Sequence, residues 1–167
     1  SQHILQEAYV TQNPNPPDQR ELLDSSSHAD LDLTYDMSHS RMQSSMRAQM
    51  ATRGYADIMM FDVKGNLIYS VKKGPDFATS FAAPGSGPYA DTDLANVYRE
   101  AMKLTEPGVV FADLTPYAAA GDAATGFLGA PVFNNTGILG VLVFSLPTTR
   151  INAILSGGRN DPRPLAA

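Results

Sequence analysis

The fold class follows from residues 125–146, TGFLGAPVFNNTGILGVLVFSL, where two apolar runs flank a short polar turn. The turn, Asn134–Gly137, is rich in Asn and Gly, which readily adopt the left-handed backbone of a tight hairpin. The flanking runs, Thr125–Phe133 and Gly137–Leu146, are predicted strands because their Val, Ile and Phe side chains favour extended backbone. Strands joined by so short a turn pair antiparallel.

Three more strands are predicted upstream of this hairpin. Tyr55–Asp62 and Leu67–Lys72 flank a turn that contains Gly65 and Asn66, so they form a second hairpin. Gly108–Leu114 is the remaining strand. Between them, the polar residues at 91–93 cap a predicted helix that runs to about residue 104 with its apolar side chains on one side.

The first 54 residues are predicted to contain helices and loops, in contrast to the strands that follow. Prolines in Asn13–Pro17 interrupt helical backbone, because each disfavours the helical region for the residue before it. A long helix is predicted over Ser38–Arg53, with Ser38 or Ser40 as its N-cap and Gly54 as its end. Its methionines recur every four residues and are predicted to pack on the sheet: Met42, Met46 and Met50.

This order of elements predicts an α+β domain, a PAS-like five-stranded antiparallel sheet backed by a long N-terminal helix. Profilin-like and other small α+β folds share the pattern. We divide the chain into an N-terminal helical region with a Pro-rich loop (1–54), a PAS-like core (55–155) and a tail (156–167). The tail is expected to be disordered or introduced by cloning.

The composition excludes several classes of function. The chain has 167 residues, 43% of them hydrophobic, which is enough to build one buried core. A net charge of −5 without a basic cluster argues against nucleic acid as a partner. The absence of cysteine excludes disulfides, cysteine nucleophiles and thiolate metal sites. The longest apolar stretch is half of the ~20 residues that a membrane helix needs, and no leader opens the chain, so a soluble domain is expected.

No catalytic signature is present. The sequence lacks a phosphate-binding loop, a GxSxG elbow and a HExxH motif, and its three histidines all precede residue 40. We therefore predict no catalytic residues, no cofactor and no metal site, with a carboxylate-based enzyme as an alternative. The acidic segment 28–39 is interpreted as a solvated loop in preference to a metal site.

One cluster of residues has the composition of a small pocket. Asp113 ends a predicted strand and is followed by Pro116, Tyr117 and a run of small residues. The next strand carries two glycines beside bulky groups, which often marks the close approach of a ligand or of another backbone. A pocket opposite Tyr69 and an ordinary turn capped by the aspartate explain this pattern equally well.

Short motifs that occur in a fixed order along most of the chain carry a further signal. They are YADIMMFD at 55–62, Gly65-Asn66, YSV at 69–71, Lys73, Asp76-Phe77, Thr79, GPY at 87–89, Phe111, Asp113, Pro116-Tyr117, APV at 130–132 and RIN at 150–152. Over roughly residues 9–155 the chain resembles Cache-type (PAS-like) extracytoplasmic sensor domains. Such domains occur in bacterial chemotaxis receptors, histidine kinases and membrane-bound adenylate or guanylate cyclases.

The resemblance implies a periplasmic domain of an inner-membrane receptor that binds a small molecule, a carboxylate or an amine. It further implies membrane attachment through flanking helices outside this chain and a homodimer through the N-terminal helix. On this basis Lys73 pairs with a ligand carboxylate, Asp113 accepts from an amine or hydroxyl, and Phe127 forms an apolar wall. The expected ligand-binding residues are Tyr69, Lys73, Asp76, Thr79, Asp113, Tyr117 and Phe127.

The chain also departs from the family pattern near this site. Gly74 stands where the family tends to have Glu, and Ala119-Ala120 replace a Pro-Ser pair. The identity of the ligand is therefore not transferred. The alternative function is a dimerisation module of a membrane receptor that binds no ligand.

Overall fold

A computed structural model describes residues 2–156 of the chain. The strands are β1 (Asp57–Asp62), β2 (Leu67–Ser70), β3 (Val110–Tyr117), β4 (Ala123–Asn134) and β5 (Gly137–Pro147). The helices are α1 (Gln2–Gln6), α2 (Leu33–Arg53), α3 (Asp93–Ala101) and α4 (Thr148–Leu155), with a 3₁₀ turn at Pro17–Leu22. The predicted tail lies outside the described residues, apart from Ser156.

The five strands form one sheet in the order β2-β1-β5-β4-β3, and every neighbouring pair is antiparallel. Both predicted hairpins are present, at β1–β2 and β4–β5. The predicted α+β fold with a PAS-like antiparallel sheet and a long N-terminal helix is therefore confirmed. The pairing of β1 with β5 brings together segments that lie about 80 residues apart in sequence.

The two faces of the sheet bury different clusters. Because side chains alternate along a strand, Met59 and Phe61 of β1 face α3, whereas Ile58 and Met60 face α2. The α3 face carries the largest apolar cluster. The α2 face receives the methionines of the long helix, as predicted from their spacing: Met42, Met46 and Met50.

The long helix begins five residues earlier than predicted. Its N-cap is Asp32, whose carboxylate accepts from the Tyr35 amide at 2.9 Å, and neither predicted serine has this role. The Ser38 hydroxyl instead donates to the Thr34 carbonyl within the helix. The predicted end is confirmed, because Gly54 has the left-handed φ of 69° that terminates α2.

The N-terminal segment packs on the sheet domain through its own apolar cluster. Tyr9 and Ala8 are buried against Phe77 and Ala78, which belong to the long loop after β2. The Tyr9 hydroxyl donates to Asp36 of α2, so the segment is fixed to the helix as well. Within residues 2–156 no helix combines the length and the apolar character needed to cross a membrane.

Candidate functional site

A cavity of about 490 Å³ opens where one end of the strands meets the α3 face of the sheet. Asp57 at the start of β1 lies directly opposite Ser145 near the end of β5, and Thr125 of β4 and Tyr117 of β3 lie at the same end of the strands. These residues meet because antiparallel neighbours begin and end side by side. Met59 of β1 also lines the cavity, and residues outside the strands complete the wall: Pro17, Asp18, Arg20, Ala56, Lys72, Gly74, Pro75, Asp76, Ala119 and Ala120.

Asp57 is one of two buried carboxylates in this cavity, with 4% of its surface exposed. Its oxygens accept from the Ser70 hydroxyl at 2.6 Å and from the Lys72 amide at 3.1 Å. Burial raises the pKa of Asp57 to about 6, the bond from Ser70 opposes this shift, and the charge of Asp76 adds to it. The carboxylate is thus held in a fixed orientation by the last residue of β2 and by the loop that follows it.

Asp76 is the second carboxylate, and only 2% of it is exposed. The Tyr117 hydroxyl donates to it at 2.6 Å, and burial raises its pKa. Gly74 lies against this group, because an added Cβ would stand 2.8 Å from the Asp76 Oδ1. The glycine that replaces the family's Glu therefore leaves room for the carboxylate.

Neither carboxylate is neutralised by a direct ion pair. Among residues 2–156, no side-chain nitrogen of Lys, Arg or His lies within 4.0 Å of a carboxylate oxygen of Asp57 or Asp76. The cationic residues Arg20 and Lys72 line the same cavity, and the Lys72 ammonium pairs with Glu21 at 3.0 Å. The cavity thus holds two carboxyl groups whose pKa values are raised by burial, with positive groups elsewhere on its wall.

Lys73, a predicted ligand contact, is fully buried and does not line this cavity. Its ammonium lies 4.6 Å from the ring centre of Tyr69 and 5.4 Å from that of Phe77. It donates to the Ser70 carbonyl and to the Gln43 side chain. Burial lowers the pKa of Lys73 to about 7, against the opposing effect of Asp57. Lys73 therefore bridges the loop after β2 to α2.

The other predicted site residues fall into three groups. Tyr69 faces α2, where its hydroxyl donates to Gln43 at 2.6 Å. Phe127 lies behind the cavity wall and packs edge-on against Tyr117 at 5.1 Å, while the Thr79 hydroxyl donates to the Asp76 carbonyl. Asp113 is exposed on β3, where its carboxylate accepts from the next amide. Asp76 and Tyr117 are thus the two predicted residues that line the cavity.

Sequence reasoning missed Asp57, Thr125, Ser145 and Arg20. Asp57 does have a signal in the sequence, because it lies two residues before Met59 and four before Phe61. Its side chain therefore points to the same face of the sheet as theirs. Arg20 has no local signal, since it reaches the cavity through tertiary packing. Within residues 2–156 there is no group of three or more His, Cys, Asp or Glu side chains that could hold a metal ion.

No protein-family model and no curated protein sequence matches the chain. Among solved structures, it is similar to the sensor domain of the V. cholerae histidine kinase DctB, with 19% identity, a TM-score of 0.49, and coverage of 77% of this chain and 43% of that one. The sensory domain of the Campylobacter jejuni chemoreceptor Tlp3 matches with 11% identity, a TM-score of 0.45, and coverage of 93% and 59%.

The ligand-binding domain of the Pseudomonas aeruginosa PAO1 amino acid chemoreceptor PctC, solved with GABA, matches with 14% identity, a TM-score of 0.44, and coverage of 84% and 52%. The chain thus spans about half the length of these solved domains. Two of the three are sensor or sensory domains and the third is a ligand-binding domain of a chemoreceptor.

Proposed function

We propose that this domain is the extracytoplasmic sensor module of a bacterial transmembrane signalling receptor, and that its cavity binds a small molecule with an ammonium group. The observation that carries the proposal is the pair of buried carboxylates, Asp57 and Asp76, in one cavity without a contacting cation among the described residues.

Electrostatics favour a cationic ligand at this position. Ionising two buried carboxyl groups in one cavity costs free energy, because each loses hydration and the charge of Asp76 disfavours that of Asp57. A bound ammonium group offsets both costs and forms charge-assisted hydrogen bonds with the carboxylate oxygens. Arg20 and Lys72 provide positive charge for a carboxylate elsewhere on the same ligand, and a volume of about 490 Å³ suits a small metabolite.

A thermal-shift screen tests this proposal with amines, amino acids, carboxylates, purines and sugars at neutral pH. Ammonium compounds are expected to stabilise the domain, by about 2.7 kcal/mol at 100 times the dissociation constant. For a domain of this size the melting temperature then rises by roughly 5–10 °C. Asp76→Asn is expected to weaken binding about 10–100-fold, because it removes a charged hydrogen-bond acceptor.

Asp113→Asn is the matched control, because it removes an exposed carboxylate that lies outside the cavity. It is expected to leave the affinity within about two-fold of the wild type, since exposed charges contribute little. Stabilisation by anions alone, or an equal loss of affinity in Asp113→Asn, contradicts the proposed ammonium site.

The exposed start of α2 favours a second role, dimerisation through the N-terminal helix. Leu33 is 78% exposed and Met37 53% exposed, and four residues apart they lie on the same side of the helix. We expect Leu33→Lys with Met37→Lys to raise the dimer dissociation constant at least about ten-fold, measured by analytical ultracentrifugation. Leu139→Lys, which changes a leucine of β5 that is 57% exposed, is the control. A wild-type monomer at all concentrations contradicts this role.

A further inference from the structure

The cavity and the long helix α2 are joined at a single buried amide, Gln43. This side chain is 0% exposed and makes four hydrogen bonds. Its nitrogen donates to the Glu21 carbonyl at 2.9 Å and to the Val71 carbonyl at 3.2 Å. Its oxygen accepts from the Tyr69 hydroxyl at 2.6 Å and from the Lys73 ammonium at 3.3 Å. The two donors and the two lone pairs of the amide are therefore all used.

Three of the four partners of Gln43 belong to two segments that line the cavity, and the fourth, Tyr69, belongs to β2. Glu21 lies in the 3₁₀ turn Pro17–Leu22, here called the strap, and other strap residues line the cavity. Val71 and Lys73 lie in the cavity loop, residues 71–76, which also carries Asp76. Gln43 thus contacts both segments on the side that faces α2, and the opposite side of each segment lines the cavity.

Further bonds connect the strap, the cavity loop and α2 near the protein surface, and we call them the rim contacts. The Lys72 ammonium of the cavity loop pairs with the Glu21 carboxylate at 3.0 Å, and the Arg20 guanidinium donates to the Lys73 carbonyl at 3.4 Å. From α2, the Arg47 guanidinium donates to the Glu21 carbonyl at 2.6 Å. Lys72 and Arg47 are partly exposed, so water can replace these bonds when the elements shift.

Gln43 differs from these rim contacts because water cannot replace its bonds. Breaking one of them leaves a buried polar atom without a partner, which costs about 1–3 kcal/mol. When the strap or the cavity loop moves, either a Gln43 hydrogen bond breaks, which costs free energy, or α2 moves with that segment. A rigid connection of this kind transmits a change at one site to another.

We propose that Gln43 is the positioning residue that couples the state of the cavity to α2. Its role in signalling rests on the proposed function, whereas the coupling itself is a property of the domain without ligand. By linkage, a change in the cavity that favours one arrangement of the strap and loop favours the matching position of α2 to the same extent.

The test is hydrogen–deuterium exchange of the α2 amides, with Asp76→Asn as the perturbation of the cavity. In the wild type this change is expected to alter exchange at residues 39–47 by about five-fold or more. In a Gln43→Met background the same change is expected to alter it less than two-fold. Gln49→Met is the matched control, because it replaces an exposed glutamine of the same helix, and it should preserve the full response.

A second variant keeps the test decisive if Gln43→Met does not fold. Arg47→Met with Lys72→Met removes rim contacts and leaves Gln43 intact, so the response to Asp76→Asn should persist. An absent response in the wild type, its loss in this double variant, or an undiminished response in Gln43→Met overturns the coupling. A methylammonium titration that shows no binding counts against the ammonium site of the proposed function and leaves the exchange result standing.

Discussion

The unfolding free energy of the wild-type domain is expected to rise by roughly 3 kcal/mol between pH 7 and pH 9.5, because Lys73 is fully buried. Burial lowers the pKa of Lys73 from 10.5 to about 7 in the folded protein. Between these values the unfolded chain holds a proton that the folded domain has released. Raising the pH therefore favours the folded state, and urea unfolding at a series of pH values measures the slope.

The chosen window avoids most of the other shifted groups, and the comparison with Lys73→Met separates Lys73 from Asp76, whose pKa burial also raises. Burial raises the pKa of Asp57 to about 6 and lowers that of His39 to about 4, so both titrate below pH 7. Tyr9, Tyr69 and Tyr117 have pKa values raised above 10 by burial, so their effects fall mainly above the window and oppose that of Lys73 only near its upper end. Below pH 7 Lys73 is protonated in both states and contributes no slope.

Lys73→Met removes the titrating group and is expected to flatten the profile between pH 7 and pH 9.5. Lys64→Met is the control, because Lys64 is exposed in the β1–β2 turn and its variant should keep the wild-type slope. A Lys73→Met domain that retains the slope shows that another group is responsible for it.

The strands were predictable because their signals are local. Asn134–Gly137 and the turn at Gly65 each specify a hairpin over a few residues, and the observed strands differ from the predicted bounds by three residues or fewer. The start of α2 was missed because most of the local signals that mark a helix are absent there. Its first turn carries exposed Leu33 and Met37, so no buried apolar face marks the helix there, and only the cap at Asp32 does.

The cavity was predictable only in part because it is assembled from distant segments. Tyr117 was found from the residue pattern after Asp113 and Asp76 through the family resemblance, and both line the cavity. Asp113 has the same parity as Phe111, which is 50% exposed, so both point away from the α3 face. Arg20 enters the cavity because the strap folds across it, and no local pattern encodes that contact.

Phe127→Ala is expected to lower the unfolding free energy by about 3–5 kcal/mol, the usual cost of removing a fully buried aromatic ring. Phe127 is 0% exposed in the main core, between α3 and the sheet. Phe133→Ala on the same strand removes a half-buried ring and is the control, with a smaller expected loss. Chemical denaturation measures both, and equal losses contradict the central position assigned to Phe127.

The conservative variant Phe127→Leu separates packing from ligand binding. It keeps most of the buried volume and removes the edge-on contact with the Tyr117 ring. Since the Tyr117 hydroxyl holds the Asp76 carboxylate, a less confined ring orients that carboxylate less well. The affinity for an ammonium ligand is therefore expected to fall several-fold, with a loss of stability below that of Phe127→Ala. An unchanged affinity in Phe127→Leu shows that Tyr117 is positioned without this ring, and Phe127 then contributes to stability alone.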